Sequence, residues 1–131
     1  NLGWCYANCE GMQKDLATAA QWYENAANQG DADAQFNSGV CYDHGDGVQK
    51  DLATAAQWFE KAAEQGHAIA QCNLGWCYKN GDGVQNDPAT SAQWFEKAAE
   101  QGYPLAQFNF GVCYQNGWGV QKDLATAAQW Y

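Results

Sequence analysis

Apolar and polar positions along this chain follow one pattern that recurs with a period of 36 residues. The phrase "QKDLATAAQW" stands at 13–22, 49–58 and 121–130, and a looser copy, "QNDPATSAQW", stands at 85–94. Self-similarity at roughly 20–50 residues is typical of supersecondary units that bury their apolar faces only by stacking on one another. The pattern therefore predicts a solenoid.

Each unit is expected to contain two helices, which we call helix A and helix B. Helix A is predicted over residues 32–44, where small residues and a tyrosine lie on one face at helical spacing. The turn "HGDGVQK" follows, and Asp51 suits the N-cap of helix B because its carboxylate can accept unpaired N–H groups. The equivalent aspartates are Asp15, Asp87 and Asp123.

The buried faces of both helices are built from small residues. Helix B carries a narrow alanine stripe around Phe59 and is expected to end at Gly66. Such stripes let helices approach closely but fill no thick central core. Apolar surface should therefore be buried between neighbouring units.

We expect a single repeat domain over residues 1–131. Its units would be a truncated unit at 1–30, complete units at 31–66 and 67–102, and a truncated unit at 103–131. Asn1 aligns with Asn37 and Tyr131 aligns with Phe59, so both outer units are expected to be partial. The chain is expected to be a fragment of a longer protein or a designed array.

The repeated phrase "AQxNxGxCYxxGxGVQxDxATxAQWFEKAAEQG" resembles the Sel-one-like repeat (SLR) family, which is related to the tetratricopeptide repeat. Two residues depart from its pattern, since Ser38 replaces a leucine and Cys9 replaces the first glycine of the turn. The resemblance implies an all-α fold: a right-handed α-solenoid of antiparallel helix pairs with a 36-residue repeat. It also implies a non-catalytic scaffold or adaptor that binds a protein or an extended peptide.

The resemblance further implies that helix A lines the concave face of the stack. We call the positions aligned with 33, 36, 37, 40, 43 and 44 the helix-A surface, and we expect partners to bind there. The candidate partner-binding residues are Trp4, Phe36, Asn37, Val40, Asn73, Trp76, Lys79, Phe108, Asn109 and Val112. Varied polar edges are supplied by Asp33, Asp43, His44, Asn80 and Gln115.

An asparagine ladder crosses the helix-A surface, with one member in each unit. Its amides can both donate and accept, so they suit the backbone of an extended peptide, while aromatic neighbours suit its side chains. In the alternative interpretation, the asparagines bridge neighbouring helices and the aromatics fill space between repeats. We predict that Asn73, Trp76 and Phe108 lie near the centre of the contact surface.

The net charge of −9 limits the classes of partner. Nucleic acid requires a basic surface that neutralises phosphates, and this chain has six lysines and no arginine. An anionic membrane surface is disfavoured for the same reason, and no apolar run reaches the length of a membrane span. A cationic partner is compatible with this charge, although acidity also serves solubility.

The cysteines Cys5, Cys41, Cys77 and Cys113 recur once per unit, and we interpret them as small buried apolar residues. Equivalent positions on packed helices are too far apart for a disulfide, and unpaired thiols favour a reducing compartment. Cys5, Cys9, Cys41 and His44 form a conceivable zinc set whose spacing matches no standard site. Cys72 replaces a phenylalanine and is expected to be a shortened groove residue.

The sequence offers no recognisable active site. His67 is expected to cap a helix or face solvent, and Ser38 and Ser91 lack a base in the pattern. The turn at Gly45 lacks the spacing and the preceding strand of a phosphate-binding loop. We therefore predict no enzyme activity, no metal and no cofactor. A self-stacking structural or consensus array without a specific partner is the alternative function.

Overall fold

The computed structural model describes residues 9–130, with side chains from residue 15 onward. Within this range it contains α-helices and turns and no β-strand. The helices are α1 (Cys9–Asn28), α2 (Ala32–His44), α3 (Leu52–Glu64), α4 (Ala68–Asn80), α5 (Pro88–Glu100), α6 (Pro104–Asn116) and α7 (Leu124–Trp130). Each helix packs on its neighbours in sequence, which confirms the all-α solenoid of antiparallel helix pairs. None of the helices within residues 9–130 is long and apolar enough to cross a membrane.

The helix boundaries follow from local capping chemistry. Asp51 accepts hydrogen bonds from the Ala53 and Thr54 amides at 3.1 and 3.2 Å, as predicted for the N-cap of α3. Helix A ends at a left-handed glycine, Gly45, whose N–H donates to Cys41 O at 2.8 Å. The same two caps recur in the following units, where they fix the end of helix A and the start of helix B.

The first unit departs from this code. Asp15 was predicted to cap a helix, but it lies inside α1, which runs without interruption from Cys9 to Asn28. Cys9 aligns with Gly45, and a residue with a Cβ disfavours the left-handed conformation that ends helix A there. The turn before Asp15 is therefore absent, and the predicted N-cap at this position is wrong.

The core lies both between neighbouring units and between the two helices of each unit. One buried cluster joins the alanine stripe and Phe59 of α3 to Ala70 and Leu74 of α4, and a second joins Phe95 of α5 to Phe110 of α6. Within a unit, Gly39 lies against the Phe59 ring and Gly75 against the Phe95 ring, so that a Cβ on either glycine would overlap the ring. This confirms the prediction that small residues allow close helix packing.

A second set of contacts joins the units through glutamines. Gln35 and Gln71 are buried on helix A, and their amides donate to carbonyls in the last turn of the preceding helix B, Ala27 O and Ala63 O. Gln65, which follows helix B, donates to Gln35 Oε1 at 2.8 Å, and Gln101 donates likewise to Gln71. We call these contacts the glutamine bridges, and the sequence analysis did not predict them.

Candidate functional site

The structure places the candidate residues of the helix-A surface in three different environments. Phe108 is exposed, with 56% of its surface accessible. The half-buried candidates are Phe36, Asn37, Val40, Asn73, Trp76, Lys79 and Val112. Asn109 is buried at 7% exposure. Trp4 lies outside the described residues.

Asn109 is not available to a partner in this structure, contrary to the expectation for this residue. Its Nδ2 donates to the Sγ of Cys72 at 3.8 Å, between one unit and the next. Cys72 itself is fully buried, so its prediction as a shortened groove residue is also wrong. The physical reason is size, because the thiol takes the place of the ring found at Phe36 and Phe108 and leaves room for Asn109.

Asn73 and Trp76 line a pocket between α2 and α4, which we call the inter-unit pocket. It has a volume of about 320 Å³. Its lining residues are Asp43, His44, Phe59, Asn73, Trp76, Cys77 and Asp82. Phe59 and Trp76 are aromatic, whereas Asp43, Asp82 and the Asn73 amide supply polar groups. Aromatic walls with a few polar groups are typical of sites that hold a side chain or a small ligand.

Aromatic residues of the helix-A surface contact buried rings of helix B and nearby polar or charged side chains. The Trp76 ring meets Phe95 edge-on at a centroid distance of 5.8 Å, and Lys79 Nζ lies 4.7 Å from the Trp76 centroid. Phe36 stacks on the imidazole of His67 at 4.8 Å. Trp76 and Phe36 are therefore held in place on one side while part of each ring remains accessible.

His67 has a structural role, as the sequence analysis expected. Its Nδ1 accepts a hydrogen bond from the Ala70 amide at 3.1 Å and caps α4, while Nε2 lies 3.0 Å from Asp33 Oδ1. A ring nitrogen that accepts from an amide carries no proton, so the ring N–H is at Nε2 and faces the Asp33 carboxylate. Both nitrogens are occupied by structural contacts.

Two exposed apolar residues of the helix-A surface were not predicted. Ile69 and Leu105 are 39% and 49% exposed, on α4 and α6. Both align with Asp33, a position that the sequence analysis assigned to this surface without naming its apolar equivalents. The change from aspartate to aliphatic residues at one aligned position was the signal that could have identified them.

The buried thiols are poor nucleophiles in this environment. Burial raises the pKa of Cys72 and of Cys113 to about 11. The described cysteines Cys41, Cys72, Cys77 and Cys113 are free and buried, which agrees with the interpretation of Cys41, Cys77 and Cys113 as small apolar residues. Within the part of the chain that the structure describes, no three His, Cys, Asp or Glu side chains come together as a metal site. The structure does not test the conceivable zinc set of Cys5, Cys9, Cys41 and His44, because the side chains of Cys5 and Cys9 lie outside the described residues.

The stacked helix pairs and the variable helix-A surface define a helical-repeat solenoid. The chain belongs to the Sel1 repeat family, whose model matches residues 1–31, 32–67, 68–103 and 104–131. Sel1 repeats generally serve as scaffolds for protein interactions. No curated protein matches the chain significantly.

Three solved structures are similar to this chain. A Sel1 repeat protein from Oxalobacter formigenes is 43% identical with a TM-score of 0.84, and the match covers 88% of this chain and 47% of that protein. A protective antigen of uropathogenic Escherichia coli with an SLR fold is 44% identical with a TM-score of 0.88, and the match covers 99% of this chain and 28% of that protein. The Helicobacter pylori cysteine rich protein B is 26% identical with a TM-score of 0.69, covering 90% and 84%. This chain thus spans less than half the length of the first two proteins.

Proposed function

We propose that the protein is a non-catalytic scaffold that binds an extended segment of a partner protein along the helix-A surface. The observation that carries this proposal is the difference between framework and surface positions. The residues that build the helix pairs are repeated and buried. The helix-A surface instead varies from unit to unit, exposes Ile69, Leu105 and Phe108, and carries a pocket that Asn73 and Trp76 line.

This arrangement supports recognition of an extended segment in two ways. Exposed apolar side chains on neighbouring helices give a partner anchoring points, and large apolar anchors dominate the binding energy of most interfaces. The Asn73 amide, half-buried at the wall of the inter-unit pocket, offers both a donor and an acceptor to a peptide backbone. Anchors on α4 and α6 belong to successive units, so a segment that reaches both must run across the repeats.

Selection from a random dodecapeptide display library tests the proposal. We expect enriched peptides to bind the wild type, and fluorescence anisotropy with labelled peptides would give their affinities. The double variant Asn73→Ala/Phe108→Ala should bind them at least about 10-fold more weakly, since each truncated contact at a binding hot spot costs on the order of 1–2 kcal/mol.

The matched control is Gln57→Ala/Gln93→Ala, which changes two exposed side chains of helix B. It should bind the same peptides with unchanged affinity. Circular dichroism and thermal unfolding would show that all three proteins are equally folded. Failure to enrich any peptide, or equal binding by wild type and the helix-A variant, would rule out the proposal.

End-to-end stacking is the second candidate function. Trp22 on α1 and Leu124 on α7 are 70% and 61% exposed, and they lie on the first and last described helices. Complementary apolar surfaces at opposite ends of a repeat array can produce open, heterologous assembly. A mass that rises with concentration in light scattering would favour this function, whereas a constant mass would exclude it.

A further inference from the structure

The inter-unit pocket carries an acidic residue that the helix framework does not require. Asp43 lies in the last turn of α2, where the helix dipole disfavours negative charge. The aligned residues in the next two units are Lys79 and Gln115, so the repeat does not need a carboxylate at this position. Its cost to the helix points to another use.

Asp43 and Asp82 come from different units, and both act electrostatically on the Cys77 thiol. Burial is the largest cause that raises the pKa of Cys77 to about 12, and the nearby carboxylates of Asp43 and Asp82 contribute to the same rise. Both aspartates also line the inter-unit pocket. The pocket is therefore electronegative from two sides.

The carboxylate at Asp43 has only a weak partner of its own. His44 Nε2 lies 3.5 Å from Asp43 Oδ2, and His44 Nδ1 lies 3.6 Å from Asp46 Oδ2. The histidine side chain is 60% exposed and shared between two carboxylates. No lysine is among the described residues that line the pocket.

The aligned positions in the next unit pair hold the opposite arrangement. Lys79 replaces Asp43 and Trp118 replaces Asp82, and Lys79 Nζ lies 4.7 Å from the Trp76 centroid and 6.0 Å from that of Trp118. There the chain supplies its own cation over aromatic rings, one of which is Trp76 itself, although Lys79 is not among the residues that line the inter-unit pocket. In the inter-unit pocket it supplies the aromatic ring of Trp76 and the carboxylates, and the complementary group would be a cation.

We propose that the inter-unit pocket binds an arginine side chain of an extended partner segment. A guanidinium is planar, stacks on an indole and donates hydrogen bonds in a fork that matches carboxylates, so it suits walls made of Trp76, Asp43 and Asp82. These 131 residues contain no arginine, so a second copy of them cannot supply the group. The inference rests on the proposed function and specifies the chemistry of its partner.

The test uses the peptides that the display library yields. We expect an arginine to be enriched at one position of the peptides selected on the wild type. The double variant Asp43→Asn/Asp82→Asn should bind a labelled peptide of this kind at least about 10-fold more weakly, because charge-assisted hydrogen bonds are lost. Replacing that arginine with glutamine in the peptide should weaken binding to the wild type by a similar factor and should have little further effect on the variant.

The matched control is Glu60→Gln/Glu96→Gln, which also removes two negative charges, but from exposed positions on helix B. It should retain the affinity of the wild type for the arginine peptide. Equal weakening in both double variants would assign the effect to net charge and overturn the inference. Both variants retain every described helix cap, and their thermal unfolding would show whether they are folded.

The remaining outcomes separate this inference from the function on which it rests. Peptides that depend on Asn73 and Phe108 but carry no enriched arginine would overturn the inference and leave the scaffold function standing. Peptides enriched in lysine instead would also overturn it, because the site would then accept any cation. If no peptide is selected at all, both proposals fail.

Discussion

Single glycines decide how closely the two helices of a unit can pack. A Cβ added to Gly75 would lie 2.7 Å from Phe95 Cε1, and the Phe95 ring is fully buried and cannot move aside. Glycine in a helix interior lowers stability by roughly 0.5–1 kcal/mol relative to alanine, so alanine would be favoured at this position if there were space for its Cβ. The retention of glycine at 39, 75 and 111 indicates that close packing outweighs helix propensity.

We predict that Gly75→Ala lowers the free energy of unfolding by about 1–3 kcal/mol, because overpacking outweighs the gain in helix propensity. Urea denaturation monitored by circular dichroism measures this change. Combining it with Phe95→Leu, which removes the ring, should cost less than the sum of the two single substitutions. Strict additivity would show that the ring does not limit this position.

Two buried serines should respond to truncation in opposite directions. The Ser38 hydroxyl is buried without a hydrogen-bond partner among the described residues, whereas Ser91 Oγ donates to Gly75 O at 2.7 Å. We predict that Ser38→Ala leaves stability unchanged or raises it by up to about 1 kcal/mol, while Ser91→Ala lowers it by about 1 kcal/mol. A large loss of stability in Ser38→Ala would show that its hydroxyl does have a partner.

At the scale of the helix, most helix boundaries were predictable from the sequence, and α1 is the exception. Aspartate caps, left-handed glycines and first-turn prolines act within a few residues, so the ends of α2 to α6 could be read from the sequence. The continuity of α1 through Asp15 was not predicted, and it goes with Cys9, which stands where the other units have glycine. The glutamine bridges were also missed, since each joins residues in different units or at opposite ends of a helix pair.

The capping aspartates should make helix B sensitive to acid. The pKa of Asp51, Asp87 and Asp123 is held below the ordinary value of 3.8, chiefly by a hydrogen bond from the threonine hydroxyl three residues later. A lowered pKa in the folded state contributes stability above the ordinary pKa, and this contribution is lost as pH falls through the folded value. The caps should therefore weaken below about pH 4.

We predict that Asp51→Asn/Asp87→Asn/Asp123→Asn loses less stability than the wild type between about pH 6 and pH 2.5, because asparagine caps helices without titrating. Urea denaturation at the two pH values measures the difference. The control replaces Glu60, Glu96 and Glu100 with glutamine, and it should keep a pH dependence closer to that of the wild type. The idea fails if the two triple variants respond alike.

The glutamine bridges should contribute to the free energy of unfolding. Gln71 is buried, donates to Ala63 O at 3.0 Å and accepts from Gln101 Nε2 at 2.8 Å. We predict that Gln71→Ala lowers the free energy of unfolding by about 1–3 kcal/mol, because Ala63 O keeps its bond from the Gly66 amide but loses its side-chain donor, and the Gln101 amide loses its acceptor. The exposed Gln57→Ala serves as control and should change stability by less than about 0.5 kcal/mol. If Gln71→Ala and Gln57→Ala changed thermal unfolding equally, the glutamine bridges would not contribute to stability.

At the scale of the whole molecule, the sequence predicted the architecture better than the site. Periodicity and small-residue stripes predict stacking, because each depends on residues that recur in every unit. Surface chemistry depends instead on residues that differ between units. The burial of Asn109 follows from Cys72 in the preceding unit, and the inter-unit pocket joins Asp43 to Asp82 across a unit boundary. Neither neighbourhood is visible until the units are stacked.

The central claim is that helix A carries recognition while helix B carries the framework. Photo-crosslinking with library-selected peptides, followed by mass spectrometry, tests it most directly. A photoreactive group at each peptide position in turn would map the contact surface. We predict crosslinks on α2, α4 and α6, concentrated at Trp76, Phe108 and the residues around the inter-unit pocket. Crosslinks confined to α3 and α5 would contradict the account and place recognition on the framework helices.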